Sequence, residues 1–252
     1  MGKVMFLSIV IPVYNESKKI GLDIEKAVSF LNRHGIKGEI IVVDDGSDDQ
    51  THAVVNQIIE KSEDNIICIS YRPNKGKGYA IKRGILRAHG DVILFIDSGN
   101  CVPFDDILPG IQAVQKREAD MAHASRYMSG SVITIPRKFH RQFFSWLFRR
   151  FIHLNARFPG HLTDSQCGLK IYRAAVAKTL YSELTTNGFL FDIEIILRSV
   201  EAKLIIKEFP IHWTPDPDSR LKPFPMVIRI HKELRQIKKS INSCYPGNFT
   251  AV

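Results

Sequence analysis

The stretch Val92-Ile93-Leu94-Phe95-Ile96-Asp97-Ser98-Gly99-Asn100 decides how the rest of the chain is interpreted. Five consecutive apolar residues are typical of a strand that is buried on both faces, as in a parallel sheet. The run ends at Asp97, and ligands of open α/β sheets bind outside the carboxyl ends of such strands. Asp97 is therefore a candidate binding residue, although an aspartate in this position can also simply shape a turn.

The first hundred residues repeat this pattern of strand and helix. Apolar runs at 7–11, 39–43 and 66–70 predict three further strands, and apolar residues at helical spacing follow each of them. This alternation predicts an α/β fold with a Rossmann-like, mostly parallel sheet flanked by helices on both faces. Right-handed crossovers would bring the strand ends to one rim. The groups expected there are Tyr14, Asp44, Asp45, the basic loop 72–78 and Asp97.

Composition limits the partners of the chain. Its 252 residues carry 35 Lys and Arg against 26 Asp and Glu, a net charge of +9 that favours anionic partners such as nucleotides, phosphates or an acidic membrane surface. No uncharged run approaches the roughly 20 residues that span a bilayer, so we expect a cytoplasmic protein. The chain has no helix-turn-helix, zinc or aromatic RNA-binding signature, and we expect no nucleic-acid partner.

The predicted rim has the chemistry of a nucleotide site. Tyr14 could stack on a base, and Asp44 or Asp45 could accept hydrogen bonds from base or ribose. Lys77 and the glycine amides of the basic loop could hold a pyrophosphate, which Asp97 could reach through a divalent cation. Neither GxGxxG nor GxxxxGK[ST] is present, which argues against a hydride-carrier site and an ATPase site.

Four segments in order resemble glycosyltransferase family 2: IVIPVYNE at 9–16, VVDDGS at 42–47, NKGKG at 74–78 and the strand that ends at Asp97. Enzymes of this family have the GT-A fold and use nucleotide-diphosphate sugars. Three later segments resemble the DTQCGFK, FDVE and SKL segments of the dolichyl-phosphate glucosyltransferase group. They are DSQCGLK at 164–170, FDIE at 191–194 and SRL at 219–221.

The resemblance implies two groups of binding residues. On the donor side, where a UDP-sugar is expected, they are Pro12, Tyr14, Glu16, Asp44, Asp45, Lys77, Asp97 and Ser98. On the acceptor side they are Arg126, Arg137, Gln166 and Arg220. Arg126 and Arg137 match positions that hold the acceptor phosphate in polyprenyl-phosphate transferases.

Asp97 would be the first acid of the family's Asp-x-Asp metal motif, but the segment here is Asp97-Ser98-Gly99. The second acid is missing, so Mg²⁺ or Mn²⁺ would lose one charged ligand. Asn100, Asp164 or Gln166 could help to bind the ion, water could fill the gap, or metal affinity could be weak. A catalytically weak module that only binds nucleotide sugars is therefore an alternative.

The acceptor decides which catalytic groups are needed. A polyprenyl phosphate is already an anion and needs little help from a base, so alignment and stabilisation of the departing diphosphate are the main tasks. A saccharide hydroxyl would need a base, with Asp164 or Asp192 as candidates. The catalytic residues that we expect are Asp97, Asp164 and Arg126.

Residues 1–225 are expected to form the GT-A domain, and 226–252 a basic C-terminal helix and tail. Within the domain, 139–158 alternates aromatic and basic residues at helical spacing, which suits a helix in the headgroup layer of an anionic membrane. A peripheral position on the inner membrane face is one interpretation of that segment. Packing on the catalytic domain, or on a second subunit in a homo-oligomer, is the other.

Overall fold

The computed structural model describes residues 5–135, 158–216 and 226–244, with isolated positions at 147, 150 and 152 and with side chains of the last helix from 233 to 243. The strands are β1 Phe6–Val13, β2 Lys37–Asp44, β3 Ile66–Ser70, β4 Val92–Ile96, β5 Met121–Ser125, β6 Val132–Ile133, β7 Leu169–Arg173, β8 Ile206–Pro210 and β9 His212–Trp213. The helices are α1 Ile20–Arg33, α2 Thr51–Lys61, α3 Lys77–Arg87, α4 Leu108–Gln115 after a 3₁₀ turn Phe104–Ile107, α5 Ala174–Glu183, α6 Phe191–Glu201 and α7 Met226–Cys244.

Seven of these strands form one sheet in the order β3-β2-β1-β4-β7-β5-β8, and β6 pairs separately with β9. Only β7 is antiparallel to its neighbours in the large sheet, β4 and β5, and the other pairs are parallel. The predicted α/β fold with a mostly parallel sheet is confirmed.

The sheet has a switch point between β1 and β4. The chain adds β2 and β3 on one side of β1 and then returns to place β4 on the other side. Ligands of doubly wound sheets bind in the crevice outside the strand ends at such a point. Tyr14 follows β1 and Asp97 follows β4, so both candidate residues lie at this crevice.

The core fills both faces of the sheet because successive strand residues point to opposite sides. Ile9 and Ile11 of β1 pack in the cluster with α1, whereas Val10 packs in the cluster with α3. The C-terminal helix α7 joins the second of these clusters through Leu234 and Ile237. The division of the chain after residue 225 stays a prediction.

Strand β1 is longer than its sequence suggested. The apolar run predicted a strand at 7–11, but β1 continues through Pro12 to Val13. Strand β4 pairs with β1 only as far as Val10, so Pro12 lies beyond the doubly paired part, where a missing backbone N–H is tolerated. Among the helices that the structure describes, none is both long enough and apolar enough to cross a membrane.

Candidate functional site

The loops that follow β1 and β2 are tied to each other at the rim. The Asn15 amide donates a hydrogen bond to Ser47 Oγ at 2.8 Å, and the Asp48 amide donates one to Asn15 Oδ1 at 2.7 Å. Asn15 has a φ of +53°, which asparagine tolerates better than most residues. Tyr14 and Glu16, on either side of Asn15, are partly buried at this rim, where the resemblance implies nucleoside contacts.

Asp44 and Asp45 are buried and shape the loops around them. Asp45 accepts hydrogen bonds from the amides of Lys75 and Gly76 at 2.8 and 2.9 Å, and Asp44 accepts one from the Ser47 amide at 2.9 Å. Asp45 Oδ2 also accepts a hydrogen bond from Asn74 Nδ2 at 2.9 Å, so this carboxylate is largely engaged in holding the basic loop. The contact of Asp44 and Asp45 with a nucleoside stays a prediction.

The basic loop is packed tightly against the segment before α6. Gly76 has a φ of +105°, and a Cβ added there would lie 2.5 Å from the Asn187 carbonyl oxygen. The Gly78 amide donates to that same oxygen at 2.8 Å, while the Gly76 amide donates to Asp45. The glycine amides that we expected at a pyrophosphate are therefore used inside the protein. The Lys77 side chain becomes the main candidate of this loop for the diphosphate.

Lys77 and Asp97 meet at the centre of the crevice. Lys77 Nζ lies 2.7 Å from each oxygen of the Asp97 carboxylate. Its hydrogen bond is directed to Oδ2, and the buried Oδ1 has no hydrogen-bond donor among the residues that the structure describes. Burial lowers the pKa of Lys77, but the charges of Asp97 and Asp192 outweigh burial and hold that pKa above its usual value. Lys77 therefore remains a cation.

Gly168, just before β7, makes room for the Asp97 carboxylate. The Asp97 amide donates to the Gly168 carbonyl oxygen at 2.8 Å. A Cβ added at Gly168 would stand 1.9 Å from Asp97 Oδ2 and 2.1 Å from its Cγ. Any side chain at position 168 would thus displace the carboxylate or separate the two strands.

Asp192 belongs to a buried ion pair beneath the crevice. Lys170 Nζ contacts Asp192 Oδ1 and donates to the Cys167 carbonyl oxygen at 3.1 Å. Burial raises the pKa of Asp192, and the charges of Lys170 and Lys77 offset this only in part. The carboxyl group of Asp192 is engaged with Lys170 rather than presented to a substrate.

Arg126 and Asp164 form a two-pronged ion pair on the acceptor side. Arg126 Nε donates to Asp164 Oδ2 at 2.6 Å and its Nη2 donates to Oδ1 at 2.8 Å. The guanidinium carbon lies 5.7 Å from the Tyr127 ring centroid and 5.4 Å from that of Trp213. Fork geometry and aromatic contact fix the direction of the guanidinium group.

The loop that carries Asp164 is held by further hydrogen bonds. Glu208 on β8 accepts the Asp164 amide at 3.0 Å, and the Gln166 amide donates to Asp164 Oδ1 at 3.2 Å. Burial alone would raise the pKa of Asp164, but the Arg126 guanidinium beside it holds that pKa well below its usual range. Asp164 therefore has little affinity for a proton in this arrangement.

Several predicted residues cannot be placed. Arg137 and Arg220 lie outside the described residues, as does most of the segment 139–158. Of its four described positions, Leu147 is exposed, and Ile152 and Phe158 are buried. The membrane-interface helix and the two acceptor contacts stay predictions.

Three residues that the sequence did not indicate also reach the crevice. Asp216, in the loop after β9, accepts hydrogen bonds from Lys19 Nζ at 2.8 and 2.9 Å. Asp23 of α1 accepts the amides of Gly99 and Asn100, both at 2.9 Å. The Lys19–Asp216 pair joins residues 197 positions apart. No local pattern could have predicted it.

The expected divalent cation can be tested against these groups. Among the described residues, no three His, Cys, Asp or Glu side chains cluster as a metal site. Mg²⁺, however, is commonly held by one or two carboxylates together with substrate phosphates and water. The buried Asp97 Oδ1 accepts no hydrogen bond from the described residues, although Lys77 Nζ lies 2.7 Å away, and it fits one such ligand. A cation held there with the diphosphate would neutralise charge on the leaving group.

A mostly parallel sheet with carboxylates and lysines gathered at its switch point is the arrangement of a GT-A glycosyltransferase. The sequence model of glycosyl transferase family 2 matches residues 8–181, which is more than half of the chain. The chain belongs to this family and is a glycosyltransferase, as its sequence motifs predicted.

Similar proteins include dolichyl-phosphate beta-glucosyltransferases. The one from Dictyostelium discoideum is 30% identical over 244 residues, which cover 93% of this chain and 74% of that protein. The one from Homo sapiens is 29% identical over 248 residues, covering 92% of this chain and 74% of that protein.

A solved structure supports the fold assignment. Glucosyl-3-phosphoglycerate synthase from Mycobacterium tuberculosis, in complex with Mn²⁺, uridine diphosphate and glucosyl-3-phosphoglycerate, aligns with a TM-score of 0.66 at 20% identity. The alignment covers 98% of this chain and 82% of that one. A divalent metal and a nucleotide are thus found together in a protein of this fold.

Proposed function

We propose that this glycosyltransferase moves a sugar from a UDP-linked donor to a polyprenyl phosphate. The acceptor class is supported by the dolichyl-phosphate beta-glucosyltransferases, which match over nine-tenths of the chain. The donor class is supported by the uridine diphosphate in the glucosyl-3-phosphoglycerate synthase structure. Glucose is the sugar that these names favour.

The observation that carries the choice of acceptor is the Arg126–Asp164 pair. Both oxygens of Asp164 are engaged by Arg126, and the depressed pKa makes this carboxylate a poor general base. Asp192, the other candidate base, is buried with Lys170. A hydroxyl acceptor would need a base, whereas a phosphate needs an oriented cation. Arg126, whose guanidinium group is oriented by Asp164, is such a cation.

The reaction that follows is a direct displacement. An oxygen of the acceptor phosphate, oriented by Arg126, attacks the anomeric carbon while the bond from that carbon to the diphosphate oxygen breaks. UDP leaves with the bonding electrons, and Lys77 stabilises the charge on it. Asp97 would hold Mg²⁺ or Mn²⁺ against the same diphosphate, and that ion would add to the charge stabilisation.

A lipid-linked acceptor implies contact with a membrane. The proposal places the protein at the cytoplasmic face, attached peripherally through the basic and aromatic segment 139–158. Isolated residues on the acceptor side support this position, because Met128, Val132 and Ile135 are exposed apolar side chains that follow Arg126.

The test is transfer of glucose from UDP-glucose, compared between farnesyl phosphate and octyl glucoside as acceptors. We expect product with the phosphate and none with the hydroxyl compound. Product only from octyl glucoside would refute the acceptor assignment. Binding of UDP-glucose without any transfer or hydrolysis would instead identify a nucleotide-sugar binding module.

Asp164→Asn distinguishes orientation of Arg126 from base catalysis. Because the amide cannot pair with the guanidinium as an anion, the KM for farnesyl phosphate should rise by about tenfold or more, while the KM for UDP-glucose stays nearly constant. A general base would instead lose kcat with little change in KM. The control is Asp105→Asn, which removes an exposed carboxylate paired with Arg33.

A further inference from the structure

Gly99 stands where the family's metal motif has its second acid, and a carboxylate from elsewhere in the chain fills the adjacent space. Gly99 has a φ of +94°. A Cβ added to it would lie 3.2 Å from Asp216 Oδ2 and 3.5 Å from Asp216 Cγ. The Asp216 carboxyl group therefore occupies the region into which a side chain at position 99 would project.

The loop that carries Asp216 is fixed to the segment after β4. The Thr214 amide donates to the Cys101 carbonyl oxygen at 2.9 Å. This bond keeps Asp216 beside the segment that follows Asp97, although 119 residues separate the two carboxylates in sequence.

We propose that Asp216 supplies the carboxylate that the Asp97-Ser98-Gly99 segment lacks, and that Asp97 and Asp216 together hold the divalent cation on the donor diphosphate. This inference rests on the proposed function, because the diphosphate provides the remaining ligands along with water. Two carboxylates with phosphate oxygens are a normal ligand set for Mg²⁺, which explains why no cluster of three protein ligands is found among the described residues.

Each of the two carboxylates is paired with a lysine ammonium group. Lys77 contacts Asp97 and Lys19 contacts Asp216, each at 2.7 to 2.9 Å. A divalent cation would compete with these ammonium groups for the carboxylates and leave them available to the diphosphate. Without such a cation, two carboxylates beside a diphosphate would repel it.

Asp23 is a third carboxylate beside this segment, and each of its oxygens accepts a backbone hydrogen bond. It accepts the amides of Gly99 and Asn100 and so stabilises the turn that brings Gly99 close to Asp216. Its task is to position the segment after Asp97.

The experiment measures Mn²⁺ affinity in the presence of UDP by electron paramagnetic resonance of free Mn²⁺, which does not depend on turnover. The variants are Asp216→Asn and Asp97→Asn, with Asp105→Asn as the control at an exposed carboxylate. Lys19→Gln is a third variant, which breaks the Lys19–Asp216 pair but keeps the Asp216 carboxylate. UDP affinity in EDTA is measured for each by calorimetry.

Asp216→Asn and Asp97→Asn should each weaken Mn²⁺ binding by about tenfold or more, since each removes one charged ligand. Lys19→Gln should leave Mn²⁺ affinity unchanged or tighter, because a competing cation is removed. The inference is overturned if Asp216→Asn binds Mn²⁺ as the wild type does, or if Lys19→Gln weakens binding equally. Wild-type protein that binds UDP but no Mn²⁺ also overturns it and leaves the proposed function standing. A failure to bind UDP under either condition refutes both.

Discussion

Replacing Gly168 with alanine tests how closely β7 controls the position of Asp97. The added Cβ would lie 1.9 Å from Asp97 Oδ2. An acceptable contact requires the carboxylate to retreat by at least about 1 Å, a misplacement that can cost roughly a hundredfold in rate. The same overpacking should lower the free energy of unfolding by about 1–3 kcal/mol.

The assay combines urea denaturation with glucose transfer from UDP-glucose to farnesyl phosphate. Gly160→Ala is the matched control, because its added Cβ would meet no atom within 4 Å among the described residues beyond its chain neighbours. We expect the control to keep its activity and stability, while Gly168→Ala loses about a hundredfold in kcat/KM and remains folded at low urea. A folded Gly168→Ala protein with wild-type turnover would show that the Asp97 carboxylate need not stay where β7 holds it.

Two other changes test the buried ion pairs. Lys170→Met leaves Asp192 without its counter-ion and should cost about 3–5 kcal/mol in urea denaturation at pH 8. Because the folded chain raises the pKa of Asp192, folding binds its proton more tightly, so stability should be partly recovered at pH 5; equal losses at both pH values would contradict this. Arg198→Met removes the hydrogen bonds from Arg198 to Glu194 at 2.9 Å and to Ser240 at 2.8 Å. It should also cost about 3–5 kcal/mol, and a loss below about 1 kcal/mol would show that these buried contacts contribute little.

The central sheet was readable from the sequence because its strands are short apolar runs. β3 and β4 have the bounds that their runs predicted, 66–70 and 92–96. β4 is buried and apolar at all five positions, which gives a local signal that needs no knowledge of its partners.

Elements that depend on distant partners were not readable. The sequence analysis predicted no strand in 129–135, yet Val132 and Ile133 pair with His212 and Trp213. A two-residue strand has no periodicity of its own, so its existence depends on the partner. Helix α5 was also not predicted, although it follows β7 directly.

The candidate site also contains residues that sequence motifs predicted and residues that only the fold brings together. Lys77 and Asp97 lie in recognisable motifs, and the structure brings them into contact. Lys19 and Asp216 come together only through the tertiary fold. The fork between Arg126 and Asp164 was also hidden, because each residue was assigned a separate role from its own segment.

The reversed direction of β7 has a consequence for how such an enzyme can diversify. Its pairing with β4 matches Leu169 to Ile96, so the residues just before β7 arrive beside Asp97 from the opposite direction to the donor loops. Insertions or deletions upstream of Thr163 would change the approach to the Arg126–Asp164 pair, where we propose that the acceptor phosphate binds, without shifting the strand pairing that holds Asp97. New acceptors could therefore be acquired by changing one stretch of chain, while the machinery for the nucleotide sugar is inherited intact.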